Sequence, residues 1–103
     1  MPIAVPKKRQ PTTPGEIINE EFLRPLEMSQ AELARKMGVP TNRISQLIAG
    51  KRGLTAETAL RLEAVLGIDA TTWMNLQSTC DIWAAKQGKP AKGLKRLVEL
   101  KTA

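Results

Sequence analysis

The sequence has no histidine and no tyrosine, and it carries one cysteine (Cys80), one phenylalanine and two tryptophans. Without histidine there is no Ser-His or Cys-His nucleophile pair and no ordinary neutral-pH general base. The ten acids are scattered along helical patterns, with Asp69 and Asp81 falling at a helix cap and a helix surface. Enzyme activity is therefore not expected, and no catalytic residue is assigned. A single cysteine cannot form an internal disulfide, and no partner completes a zinc site, so neither a metal nor a cofactor is expected. That usage suits the reducing cytoplasm. Apolar runs stay well short of the roughly eighteen residues that a membrane-spanning helix needs, and the basic N-terminus is not followed by an apolar signal core.

What is present is a chain of 103 residues, 42% apolar, which suits one compact domain with short tails. The core is large enough for independent folding but small, so self-association would add useful burial. The net charge of +6 points to an anionic partner, and its distribution sharpens that reading. From Gln10 to Glu32 there are five acids (Glu16, Glu20, Glu21, Glu27 and Glu32) against Arg24. From Leu33 to Ala56 there are five bases (Arg35, Lys36, Arg43, Lys51 and Arg52) and no acid.

Residues 1–12 hold proline and basic side chains without periodicity and read as a flexible arm. Residues 13–87 carry five helical patterns. Thr13-Pro14-Gly15-Glu16 supplies a cap, a proline at the first helical position and a Glu three residues on. The helix it opens is expected to turn Ile18 and Phe22 inward, to run to about Leu23 and to be stopped by Pro25. Ser29-Gln30-Ala31-Glu32 repeats the capping pattern for a second helix, with Leu33, Ala34 and Met37 inward and Gly38 at its end. After Val39-Pro40 a third helix over about Thr41 to Ala49 places Ile44, Leu47 and Ile48 on one side, closed by Gly50. Thr55 caps a fourth helix with Ala59, Leu62 and Leu66 on its stripe, and Asp69 caps a fifth with Trp73, Leu76, Cys80 and Trp83. Residues 88–103 form a basic tail that reads equally as a short amphipathic helix or a frayed terminus.

Helices two and three carry a helix-turn-helix pattern. Ala34 is small where the second helix must pass, Gly38 admits the positive φ of the turn, and Ile44 and Leu47 anchor the third helix. That anchoring turns Thr41, Asn42, Arg43, Ser45, Gln46 and Ala49 away from the core, which makes them the groove-facing candidates. Asn and Gln suit adenine, Arg suits guanine and the Thr methyl suits thymine, so the five polar ones are the base-facing candidates, with Gln46 and Asn42 foremost. Gln30, at the exposed start of helix two, suits a phosphate or helix-positioning role. Lys51 and Arg52 suit phosphates. Trp73 reads as core, whereas Trp83, near the end of the globule, suits a dimer seam as well as it suits intramolecular burial.

Thr13-Pro14-Gly15-Glu16-Ile17, Gly50-Lys51-Arg52-Gly53-Leu54-Thr55 and Trp73-Met74-Asn75-Leu76-Gln77 together resemble the HigA-type, VapI-like antitoxins of the lambda-repressor-like helix-turn-helix superfamily. The resemblance spans about residues 13–83. Thr72, where an aromatic is common, and Cys80, where Tyr is common, depart from the pattern. The resemblance implies an all-α, five-helix, lambda-repressor-like fold and a homodimer that binds operator DNA near its own promoter. It also implies a RelE-like (HigB-type) ribonuclease toxin as second partner, base contacts from Thr41, Asn42, Arg43 and Gln46, and dimer contacts on the fifth helix. A stand-alone repressor without a toxin is the alternative function, and a docking module that does not bind DNA is a third.

Overall fold

The computed structural model describes residues 10–88 and 92–98, and the described residues form five helices and no strand. Helix α1 spans residues 14–26, α2 is Gln30–Met37, α3 is Thr41–Ile48, α4 is Ala56–Leu66 and α5 is Ala70–Gln87. The all-α, five-helix architecture is thus the one expected. Of the basic arm, residues 1–9 lie outside the described residues. Pro11 and Thr12 lie with their carbonyls 3.7 and 3.3 Å from the Cys80 thiol on α5.

The helix starts follow local capping chemistry. Thr13, Ser29 and Thr55 each accept a hydrogen bond from the backbone N–H three residues on, and Asp69 accepts one from Thr71. At the opposite ends Gly38 and Gly67 take positive φ, 71° and 85°, which satisfies the last carbonyls without a Cβ penalty.

Helix α1 departs from expectation. Pro25 does not end it: α-helical Pro14–Ile17 widens into a π-helical stretch, Ile18–Leu23, and α-helical geometry resumes over Arg24–Leu26. The Arg24 N–H reaches back five residues to the Asn19 carbonyl. This wider turn gives a physical reason for continuing past Pro25. An α-helical proline ring presses on the carbonyl four residues back, and the π register relieves that clash. The helix closes instead at Glu27, whose φ of 52° makes it the one positive-φ residue other than glycine among the described residues.

The core lies where the five helices meet. Ile18, Leu33, Ile44, Leu62 and Trp73 are all fully buried, so each helix contributes one of these large side chains. Removing such a side chain to alanine costs about 2–5 kcal/mol. The Trp73 ring centre lies 6.3 Å from that of Phe22, tying α5 to α1. Trp73 is core, as its spacing suggested, and Trp83 is half-buried. In the tail, residues 92–98 are not helical and leave Leu94, Leu97 and Val98 exposed. The amphipathic helix that the tail pattern allowed does not form over those residues. Three apolar side chains without a docking surface cannot meet the ordering cost of a short helix.

Candidate nucleic-acid interface

The site is built on α2, α3 and the loop to α4. Ala34 is buried at 1% exposure, and its missing bulk lets α3 cross α2 closely. From beneath, α3 is anchored by Ile44 and Leu47. Its other neighbour is the start of α1. A Cβ built on Gly15 would overlap the Leu47 carbonyl oxygen and stand 2.8 Å from the Ile48 Cα. Glycine at position 15 is therefore what allows α1 to rest directly on the main chain of α3.

The remaining polar residues of α3 fall into two groups. Thr41 and Asn42, at its exposed N-terminal end, face solvent. Arg43, Ser45 and Gln46 are half-buried and engaged with neighbours. The Ser45 hydroxyl donates to Gln30 Oε1 at 2.8 Å, with the Thr41 carbonyl 3.2 Å away as its alternative acceptor. This bond pins the start of α2 to the middle of α3. Arg43 lies 3.5 Å from the Glu57 carboxylate, which also accepts from Arg61 Nε at 3.0 Å. Arg61 in turn donates through Nη1 to the Met37 carbonyl at 2.8 Å, so the end of α2 is tied to α4. Arg52 Nε donates to Gln46 Oε1 at 3.0 Å. Of the eight residues singled out from the sequence, Thr41, Asn42, Lys51 and Arg52 are exposed, and Gln30, Arg43, Ser45 and Gln46 are half-buried in this network.

The turn that follows α3 sets the position of Lys51 and Arg52. Gly50 takes a φ of 74°, the Lys51 N–H returns to the Gln46 carbonyl at 2.9 Å, and the Gly50 N–H returns to the Leu47 carbonyl at 3.2 Å. This paired closure folds the chain back over the last turn of α3. The loop is then fixed from the other side. Gln77, on α5, accepts from the Leu54 N–H at 2.7 Å and donates to Asp81 at 2.8 Å. Sequence reasoning assigned Gln77 no role. Its place in the Trp73–Gln77 motif was the signal, but the bond spans 23 positions and needs the fold to be seen.

Charge is distributed to match. Among the described residues Lys36, Lys51 and Arg52 form no salt bridge, and the exposed Arg35 lies 3.9 Å from Glu32. Such exposed pairs contribute about 0–1 kcal/mol, leaving these cations available to an anion. Cys80 lies on the far side of the loop. Its thiol is pushed above the usual value chiefly by burial and secondarily by the Asp81 and Glu16 carboxylates, which makes it a poor nucleophile near neutral pH. No helix among the described residues is long and apolar enough to cross a membrane.

Comparison with known proteins agrees with this architecture. The helix-turn-helix family profile matches residues 20–73. Virulence-associated protein I of Dichelobacter nodosus is 41% identical over 90 residues, covering 86% of this chain and 83% of that protein. Antitoxin HigA-1 of Vibrio cholerae serotype O1 is 42% identical over 76 residues, covering 74% of this chain and 71% of that protein. The solved structure of the Pseudomonas aeruginosa antitoxin HigA with the higBA promoter superposes with a TM-score of 0.76 at 33% identity, over 86% of this chain and all of that one.

Proposed function

Because this chain belongs to the helix-turn-helix family, among relatives that include the HigA-type and VapI-like antitoxins, we propose that it is a homodimeric antitoxin that binds operator DNA upstream of its own gene and neutralises a RelE-like (HigB-type) toxin. The observation that carries the DNA reading is the backbone shared with a HigA antitoxin solved with promoter DNA. In this chain the outward surface of α3 carries Thr41 and Asn42 open to solvent, Gln46 behind them on the same helical face, and Lys51 and Arg52 on a fixed loop beside it. Side chains of these types read base edges, and the flanking cations hold phosphates. Gln30 supports α3 through Ser45, and Arg43 joins the site by exchanging Glu57 for a phosphate or base.

Dimerisation through α5 accords with its surface. Ile82 is 54% exposed and Trp83 is half-buried beside it, so a second copy would remove apolar area from water there. A two-fold dimer reads a palindrome with half-sites about one helical turn apart. Such a protein works in the cytoplasm.

The test is a gel-shift titration of the purified chain against the DNA upstream of its gene, with scrambled competitor, at two salt concentrations. Specific binding that weakens steeply as salt rises supports the reading, since each neutralised phosphate adds about 0.9 to the salt slope. Binding with no preference over scrambled DNA, or insensitive to salt, refutes it. The toxin limb is tested separately by expressing the neighbouring small open reading frame with and without this chain. Growth arrest that this chain relieves supports the antitoxin role, and an inert neighbour leaves a stand-alone repressor.

A further inference from the structure

We propose that Arg52 is a positioning residue for base recognition, acting by fixing the side-chain amide of Gln46, rather than a phosphate contact alone. The inference rests on the DNA-binding reading above and assigns Arg52 a part that its charge and position in the sequence did not suggest.

The contact is 3.0 Å from Arg52 Nε to Gln46 Oε1. An arginine side chain offers only donors, so the amide atom facing it must be the oxygen. That fixes the other end of the amide: Nε2, with its two N–H groups, is directed away from Arg52. Held so, Gln46 presents Nε2 as donor and the second lone pair of Oε1 as acceptor. That is the pair of groups that meets N7 and the 6-amino group of adenine. Without Arg52 the amide can turn over and offer its two ends in the opposite order, which suits a different set of base edges.

Two features make Arg52 a rigid holder. The closure at Gly50, with the Lys51 N–H on the Gln46 carbonyl, places Arg52 over the same residue whose side chain it contacts. The Leu54 N–H bond to Gln77 then anchors the far end of the loop to α5. The guanidinium thus approaches Gln46 from a loop fixed at both ends. Among the described residues only Nε is committed there, and the Nη groups can meet a neighbouring phosphate.

The experiment uses the purified full chain and a pool of duplexes with a randomised core, sequencing the bound fraction for wild type, Arg52→Ala, Gln46→Ala and Lys51→Ala. The wild-type preference at the base read by Gln46 is expected to be roughly 5- to 150-fold. Arg52→Ala should flatten preference at that position, the same one that Gln46→Ala flattens, and keep it elsewhere. Lys51→Ala should lower affinity for all sequences and keep every preference. Both loop residues are exposed, and thermal midpoints within a few degrees of wild type show that the loss is one of reading and not of folding. If Arg52→Ala weakens all sequences alike, as Lys51→Ala does, while Gln46→Ala still flattens one position, the positioning role is overturned and base reading stands. If Gln46→Ala keeps every preference, base reading by Gln46 fails and the role of Arg52 falls with it.

Discussion

Replacing Gly15 with alanine pits two effects of opposite sign against each other. Gly15 lies inside helical backbone, in Pro14–Ile17, and does not have positive φ. On helix propensity alone alanine would stabilise by about 1 kcal/mol. Against this, the added methyl would overlap the Leu47 carbonyl and press on the Ile48 Cα at 2.8 Å. Both atoms are main chain, so no rotamer change relieves the overlap and α1 must lift from α3. Overpacking of this kind costs about 1–3 kcal/mol, and the unyielding neighbours favour the upper end. The net loss is then about 2 kcal/mol, or a fall in Tm of roughly 8–15 °C for a domain of this size. Thermal denaturation followed by circular dichroism measures it. Gly50→Ala is the informative companion, because no atom lies within 4 Å of a Cβ there and the strain comes from its φ of 74°. Asparagine, which tolerates that region, should recover part of the loss at position 50 and none at position 15. A Gly15→Ala protein that melts at or above the wild-type temperature would refute the main-chain contact between α1 and α3.

Gln77→Ala leaves the N–H of buried Leu54 without its acceptor and should lower stability by about 1–3 kcal/mol in urea denaturation. Gln77→Glu combined with Asp81→Asn retains an acceptor for Leu54 without setting two carboxylates together and should recover most of that loss, so a loss equal to that of Gln77→Ala would count against the bond. Glu57→Gln frees Arg43 and Arg61 from an exposed carboxylate, so stability should change by less than about 1 kcal/mol. Duplex binding by that variant should tighten and its salt slope steepen by about one unit, and weaker binding would argue that Arg43 does not approach DNA. For Cys80, whose thiol is raised in the fold, alkylation near pH 8 should be slower than for the unfolded chain. The sign of the pH effect follows. The folded state holds the thiol proton more tightly, so this contribution to stability is constant below the ordinary thiol pKa and stability declines as pH rises through it. Alkylation at the unfolded rate under native conditions would contradict the burial of that thiol.

What was legible in the sequence was local. Ser29, Thr55, Asp69, Gly38 and Gly67 act on backbone groups within a few residues, so their types and spacing carried the helix ends. The inward faces of α2 and α3 followed from periodicity for the same reason. Pro25 misled because its clash depends on the hydrogen-bond register of the preceding turn, and the π-helical register over Ile18–Leu23 has no signature in residue type. In the site, position was legible and connection was not. Thr41, Asn42, Arg43, Ser45 and Gln46 could be placed on an outward face, but the Ser45–Gln30, Arg43–Glu57 and Arg52–Gln46 contacts join residues from different elements. Gly15 and Gln77 belong with them, each meaningful only beside a neighbour tens of positions away.

The seat that Gly15 makes for α3 bears on how such proteins diverge. At Gly15, α1 meets α3 at a carbonyl and a Cα, atoms that every amino acid shares. The identity of the outward residues Thr41, Asn42 and Gln46 does not enter that contact. On the DNA-binding reading proposed above, substitutions on the outward side of α3 would change the base sequence read while its mounting on the other side stays the same. A duplicated gene that took up a new operator by that route would keep the seat of α3 on Gly15 unaltered.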